Sequence, residues 1–175
     1  MQNPAGIIDP NAILRTARLV LRRPRPSDAE AMHAILSDPA AMRYWSTPPH
    51  TDFAQSRAWV ESTMDAIAAG DCDDFFVERD GALIGKAGLW SGDEIGFLLA
   101  PSIWGQGYGR EALSAVIGHA FGTRGLAQIR ADVDPRNDRS LRLLTGLGFQ
   151  ETGRAERTFK IGEEWVDSVY LLLTR

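Results

Sequence analysis

Three alternating glycines stand directly before an amphipathic helix in the stretch WGQGYGREAL, residues 104–113. Glycine destabilises most positions, except where the backbone needs a positive φ or another group approaches closely. A simple turn needs one such residue, whereas Gly105, Gly107 and Gly109 make three. The N–H groups at a helix N-terminus bind anions without any side chain, helped by the helix dipole. The spacing favours a phosphate-bearing ligand at this turn, with a purely structural turn as the alternative.

Two common phosphate-binding patterns differ from this stretch. A P-loop reads GxxxxGK[ST], and no Lys-Ser or Lys-Thr pair follows the glycines. A dinucleotide-binding turn reads GxGxxG, and Gly105 and Gly107 supply only its first half. Asp132 or Asp134, on the next predicted strand, would then contact the ribose. Arg110 takes the place of the third glycine, where it blocks close helix–strand packing, so both patterns are disfavoured.

Hydrophobic periodicity predicts strands and helices in alternation along the chain. The predicted strands cover residues 18–22, 75–79, 82–90, 94–100, 128–133, 149–156 and 165–172. Helices are predicted from a capping box that opens with Ser27, after Asp52, after the glycines, and from Asn137. Asp80-Gly81 has the signature of a type I′ turn, which makes residues 75–90 a hairpin.

Composition bounds the class of protein. A chain of 175 residues with 44% hydrophobic and 24% charged residues fits one domain over residues 1–175. The net charge of −4 lacks the basic surface that direct binding to nucleic acid or to an anionic membrane requires. No apolar run could span a bilayer, and the N-terminal stretch MQNPAGIIDP has no leader pattern. We therefore expect a cytoplasmic protein without a nucleic-acid or membrane partner.

Cysteine and histidine positions argue against disulfide, thiol and metal chemistry. Cys72 is the single cysteine, and the acidic residues around it raise the pKa of a thiol, so we expect it to be inert. His33, His50 and His119 fall in separate predicted elements without ligand spacing. We therefore expect no metal site.

Four stretches, in this order, resemble the GNAT superfamily of acyl-CoA-dependent N-acetyltransferases. They are EIGFLLAP at residues 94–101, WGQGYGREAL at 104–113, NDRS at 137–140 and LGF at 147–149. RLVLR at residues 18–22, the WGxGY wording and WVD at residues 165–167 are similar to the branch that acetylates alanine or serine at ribosomal-protein N-termini. The resemblance covers residues 16–175 and is more specific than the glycines alone.

The resemblance implies an α+β fold. Its mixed, largely antiparallel seven-stranded sheet would be splayed between the fourth strand, residues 94–100, and the fifth, residues 128–133, with helices on both faces. It implies acetyl-CoA as co-substrate, no metal, direct acetyl transfer to a primary amine of a protein N-terminus or a small molecule, and a possible homodimer. The alternative is a non-catalytic acyl-CoA-binding or interaction domain, because Leu144 stands where many members of the family have a tyrosine.

Carried over to this sequence, the family pattern assigns residues that hold the co-substrate. The pyrophosphate would bind backbone N–H groups of Gln106, Gly107, Tyr108, Gly109 and Arg110. Backbone groups of Leu98 and Leu99 would contact the pantetheine arm and the thioester. Trp104 departs from the first position of the family's [QR]xxGx[GA] pattern, and the Arg110 side chain would either pair with a phosphate or stay solvated.

The same carry-over assigns residues to the chemical step and to the pantetheine arm. Glu94 would act as base through water, with a solvated carboxylate as the alternative, and Ser140 would protonate the departing thiolate, with a plain first-turn residue as the alternative. Asn137 would bind the pantetheine or simply cap the helix. Independently of the resemblance, the proline-rich loop of residues 38–50 carries Tyr44 and Trp45, which would either contact the acceptor or pack as a lid.

Overall fold

A computed structural model describes residues 8–175, so the first seven residues of the N-terminal stretch discussed above lie outside it. The strands are β1 Ile13–Arg15, β2 Val20–Arg22, β3 Asp73–Arg79, β4 Ala82–Ser91, β5 Glu94–Leu99, β6 Gln128–Val133, β7 Gln150–Ile161 and β8 Glu164–Thr174. The α-helices are α1 Ala29–Leu36, α2 Phe53–Ala69, α3 Tyr108–Gly122 and α4 Asp138–Gly146. In the described range, no helix is both long enough and apolar enough to cross a membrane.

All strands of this range form one sheet in the order β1-β2-β3-β4-β5-β6-β8-β7. Every neighbouring pair is antiparallel except β5 and β6, which run parallel. The sheet therefore has eight strands, and the expected count of seven is wrong by β1. This strand is three residues long and pairs Leu14 with Leu21 of β2. It is too short to show an alternating pattern, so its pairing partner rather than its own sequence determines it.

The splay expected between β5 and β6 is confirmed. Their ladder consists of one pair, Glu94 with Arg130, where the Arg130 N–H donates to the Asp93 carbonyl at 2.8 Å. An ion pair of 2.7 Å between the side chains of Arg130 and Asp93 reinforces this end. No further ladder pair joins the two strands in the described residues, so a cleft opens towards Leu99.

Helices cover both faces of the sheet, as expected. Along β3 the side chains alternate, and Phe75, Phe76 and Val77 are all fully buried. Phe75 and Val77 pack in the cluster that includes α3, whereas Phe76 packs in the cluster formed by α1 and α2. A strand that is covered on both faces explains the continuous apolar run in its sequence.

Local turn chemistry mostly follows the sequence. Asp80 and Gly81 have φ values of 51° and 79°, which confirms the type I′ hairpin. The Asp52 carboxylate accepts from the Ala54 N–H at 2.7 Å and caps α2. The predicted cap by Ser27 is wrong, because residues 26–28 form a 3-10 turn and α1 begins only at Ala29.

A buried carboxylate joins segments that lie far apart in the sequence. Asp73 accepts from Arg23 at 2.7 Å, from His119 at 3.0 Å and from Arg124 at 2.5 Å, and its side chain is 1% exposed. Burial raises the pKa of Asp73, but the hydrogen bonds from these three partners outweigh it and hold the pKa well below its ordinary value of 3.8. The cluster joins β2, β3 and α3.

We expect Asp73→Asn to lower the free energy of unfolding by about 3–5 kcal/mol, because it leaves buried cations without their counter-charge. Asp71→Asn removes an exposed carboxylate two residues away and should change stability little. Since the folded-state pKa of Asp73 is depressed, its contribution is complete above the unfolded pKa and disappears as the pH falls through the folded value. Urea unfolding at several pH values measures both effects, and equal stability of the two variants would contradict them.

Candidate active site

The glycine turn has the backbone geometry of an anion site. Gly105 and Gly107 have φ values of 75° and 84°, and α3 begins immediately after Gly107. The N–H of Glu111 donates to the Gly107 carbonyl at 3.1 Å, which starts the helical hydrogen-bond ladder. The N–H groups from Gly107 to Arg110 precede that bond and have no carbonyl one turn earlier to bind. They are the groups that an anion would engage.

Arg18, which lies just before β2, binds the glycine turn on its carbonyl side. The Arg18 guanidinium donates to the Gln106 carbonyl at 3.1 Å, pairs with Glu111 at 2.7 Å and lies 4.2 Å above the Tyr108 ring. Burial raises the pKa of Glu111, but hydrogen bonds from Thr16 and Arg18 outweigh it and lower the pKa overall. These contacts fix the turn before any ligand arrives.

Two further contacts explain the departures from the family pattern. The Trp104 indole N–H donates to the Leu99 carbonyl at 2.9 Å, so the tryptophan ties the turn to the end of β5. The Arg110 guanidinium donates to the Gly146 carbonyl at 3.0 Å and thereby joins α3 to α4. Arg110 therefore contributes its backbone N–H to the turn, while its side chain is engaged elsewhere.

Strand β5 turns alternate backbone groups towards the cleft. Arg130 of β6 donates to the carbonyl of Asp93, and the Ala100 N–H donates to Ile84 of β4. Because ladder groups alternate along a strand, Leu98 directs its N–H and C=O to β4, whereas Phe97 and Leu99 direct theirs to the cleft. The geometry therefore favours Phe97 together with Leu99, rather than Leu98, as the source of backbone contacts.

Two cavities occupy the cleft and meet in its middle. The first, about 680 Å³, is lined by the glycine turn and by the ends of β5 and α4. The second, about 630 Å³, lies between α2, the centre of β4 and β5, and β6. The residues that line both cavities are Tyr44, Trp45, Phe97, Asn137 and Ser140. A group carried along the first cavity would meet a molecule in the second at this junction.

The N-terminus of α4 supplies two of the junction residues. The Asn137 side-chain oxygen accepts from the Ser140 N–H at 3.2 Å, so Asn137 is a helix cap, which was the alternative to its ligand role. Its amide NH2 group is not used by this cap. Leu144, one turn later, is 1% exposed and lines the second cavity, so the hydroxyl of Ser140 is the one that α4 brings to the junction.

Besides Asp74, three carboxylates line the second cavity. Glu94 accepts from the Trp90 indole at 3.2 Å. Asp134 is engaged by Arg136 at 2.6 Å; burial raises its pKa, but the hydrogen bonds from Arg136 outweigh it. Asp132 also lines this cavity. Partial burial of its carboxylate raises its pKa, and a hydrogen bond to Ser168 partly offsets this effect.

Asp132 is a candidate base that the sequence reasoning missed in this role. The alternation of β6 gives the signal, since Ile129, Ala131 and Val133 are buried and Asp132 lies on the opposite face.

The described residues bring together no group of three metal-ligating side chains.

The structure combines a splayed mixed sheet, a glycine turn at a helix N-terminus and a second cavity at the splay, which is the architecture expected of an acyltransferase. Residues 18–150 match the family model described as an acetyltransferase (GNAT) domain. The chain belongs to the GNAT acetyltransferase family, and it is an acyltransferase of the N-acetyltransferase class. The family resemblance and the fold class deduced from the sequence are thereby confirmed.

Individual relatives agree with this placement. The uncharacterized N-acetyltransferase p20 of Bacillus licheniformis is 33% identical over 148 residues, which are 80% of this chain and 83% of the relative. A GNAT-family acetyltransferase from Bacillus anthracis has a crystal structure with a TM-score of 0.81 at 26% identity, covering 93% of this chain and 98% of that one. RimL, a ribosomal L7/L12 α-N-protein acetyltransferase solved with coenzyme A, shares the fold with a TM-score of 0.81 at 17% identity over 93% and 98% of the two chains.

We expect Gly109→Val to weaken CoA binding about tenfold or more. A Cβ at this position would lie 3.1 Å from Leu143 and 3.5 Å from Leu99, so a larger side chain forces the walls of the first cavity apart, at a cost of about 1–3 kcal/mol. Gly118→Val is the matched control, because it lies in the same helix with nothing within 4 Å of its Cβ. Calorimetric titration with CoA compares them, and equal dissociation constants would contradict the assignment.

Proposed function

We propose that this protein transfers the acetyl group of acetyl-CoA directly to a primary amine, and that the chain, residues 1–175, is a single N-acetyltransferase domain. The observation that carries the proposal is the junction of the two cavities at Ser140 and Asn137. An acetyl thioester that enters from the glycine turn and an amine that enters from the second cavity would meet there. Approach and orientation alone supply a large share of such a rate.

The first cavity supports acetyl-CoA binding from end to end. The N–H groups of residues 106–110 would hold the pyrophosphate at the positive end of the α3 dipole. The pantetheine arm would lie along the free edge of β5, where Phe97 and Leu99 direct backbone groups into the cleft. The NH2 group of Asn137 would donate to the same arm.

Direct attack fits the side chains of the junction. The ammonium form of the acceptor first loses one proton to solvent. The nitrogen of the neutral amine then forms a bond to the acetyl carbon, a base takes a second proton from that nitrogen, and the carbon–sulfur bond breaks. The backbone N–H of Leu99 would stabilise the oxyanion of the tetrahedral intermediate. Ser140 would give its proton to the CoA thiolate and recover one from the protonated base through water. Cys72 is unsuited to a covalent route, because burial, followed by Asp74, raises its pKa to about 12.

A cationic amine is the acceptor that the second cavity favours. Its lining carries the carboxylates of Glu94 and Asp132, and Tyr44 and Trp45 provide aromatic faces. Both features attract an ammonium group before it loses its proton. RimL, which shares the fold, is a ribosomal L7/L12 α-N-protein acetyltransferase, and this supports a protein N-terminus as one form of the amine.

The proposal is tested by mixing the protein with acetyl-CoA and a panel of N-terminal peptides and small amines, and by following free thiol and product mass. We expect an acetylated product, and we expect Ser140→Ala to lower kcat about 100-fold while the dissociation constant of CoA stays the same. Thr145→Ala, an exposed hydroxyl further along α4, is the control and should retain full kcat. Binding of CoA without acetylation of any amine would favour a non-catalytic acyl-CoA-binding domain.

Glu94 and Asp132 are the two candidate bases, and each of them predicts a different pH profile of activity. If Glu94 is the base, Glu94→Gln lowers kcat at every pH and Asp132→Asn changes it little. If Asp132 is the base, Asp132→Asn has the large effect, and the wild-type acid limb lies above the ordinary aspartate value because the pKa of Asp132 is raised. The profile of kcat/KM for the two variants decides between them, and unchanged profiles in both would exclude Glu94 and Asp132 as the base.

A further inference from the structure

A buried ion pair lines the second cavity next to Trp45. Asp74 of β3 and Lys86 of β4 contact each other at 2.7 Å, and their side chains are 4% and 2% exposed. The ion pair uses one carboxylate oxygen, Oδ2. The other, Oδ1, is buried and has no hydrogen-bond partner in the described part of the chain. Leaving such an oxygen unsatisfied is unfavourable, so it calls for a donor.

Two glycines make room for this ion pair and for the cavity beside it. Gly88 is opposite Asp74 in the sheet, and Gly96 is opposite Gly88 on the next strand. A Cβ at Gly88 would clash with the Asp74 side chain and lie 2.5 Å from its Cα, so Gly88 lets Asp74 lie directly against β4. Gly96 lines the cavity, where a Cβ would lie 3.8 Å from Lys86 Nζ, and it therefore leaves space next to the ion pair.

The neighbouring cysteine is a poor partner for this carboxylate. Burial first, and then Asp74, raise the pKa of Cys72 to about 12, so it stays a thiol. A thiol is a weak hydrogen-bond donor. The strong donor that Asp74 Oδ1 requires must therefore come from a molecule in the cavity.

The charge of the pair selects the kind of donor. Asp74 and Lys86 cancel each other, so a second ammonium group would be attracted by one and repelled by the other at short range. An uncharged group with a donor and an acceptor side by side, such as an amide, satisfies both. It donates to Asp74 Oδ1 and accepts from an N–H of Lys86, whose ammonium has three donors. Trp45, whose ring centroid lies 5.4 Å from Lys86 Nζ, forms a wall of the same space.

We propose that Asp74 and Lys86 form a subsite that recognises a neutral amide of the acceptor, while the amine of the same molecule reaches the junction. This inference rests on the proposed function, because it assumes that the second cavity holds the acceptor. It makes Asp74 a specificity-determining residue rather than a catalytic one.

The test is calorimetric titration of the CoA-saturated protein with primary amines of several chain lengths. At each length the far end of the amine is a methyl, a carboxamide or a second ammonium group. We expect the carboxamide to bind about tenfold or more tightly than the methyl compound at one favoured length. In Asp74→Asn this preference should fall to about twofold or less. Asp65→Asn removes an exposed carboxylate of α2 and should keep the wild-type preference.

The outcomes separate the subsite from the proposed function. Equal affinities for methyl and carboxamide ends, tightest binding of the diamine, or no binding of any compound would overturn the subsite. Preferential binding of the carboxamide in the wild-type protein supports it even if Asp74→Asn does not fold. Preferential binding without acetylation supports the subsite and contradicts the proposed function, whereas acetylation without any preference overturns the subsite alone.

Discussion

The single ladder pair between Glu94 and Arg130 is the constraint on which the site depends. A parallel pair of strands usually continues its hydrogen bonds along its length. Here the pairing ends after one residue pair, and the strands diverge into a cleft. The divergence leaves the backbone groups of Phe97 and the N–H of Leu99 available, while the Leu99 carbonyl accepts from Trp104, and it creates the space in which the two cavities meet. The ion pair of Asp93 with Arg130 holds the closed end and so fixes where the opening begins.

Polar contacts position the turn at the other end of this cleft. Arg18 binds the carbonyl side of the glycine turn, Trp104 binds the end of β5, and Arg110 binds α4. Each contact uses a side chain to fix backbone, so the N–H groups at the start of α3 keep their direction without a ligand. A site that is organised in advance loses less conformational entropy when it binds.

Much of this fold could be predicted from the sequence because its local signals agree with its tertiary structure. The Asp80-Gly81 turn, the Asp52 cap and the exact bounds of β6 follow from short-range chemistry. A network of side chains explains the failure at α1. Asp28 binds Arg22 at 2.7 Å and the Arg25 N–H, and Arg22 also binds Glu78 of β3 at 2.6 Å. This network, which is anchored on the sheet through a long-range contact, determines where α1 begins in place of the capping box of Ser27.

The candidate site was predictable in part, for the same reason. Motif spacing locates the glycine turn and the start of α4, since both lie within short segments. It does not show that the alternation of β5 selects Phe97 over Leu98, or that Asp132 shares a cavity with Glu94, because strands far apart in sequence create those relations. The assignments of individual residues stay predictions that the variants above can decide.

The wall formed by Tyr44 and Trp45 belongs to both cavities, and this has a thermodynamic consequence. A molecule that settles against one side of these rings restricts their rotamers for whatever arrives on the other side. Two ligands that contact the same side chains are energetically linked, and the linkage is reciprocal. If the first ligand changes the affinity for the second by some factor, the second changes the affinity for the first by the same factor. The loop that carries the two rings would therefore govern whether the partners load independently or as a cooperative pair.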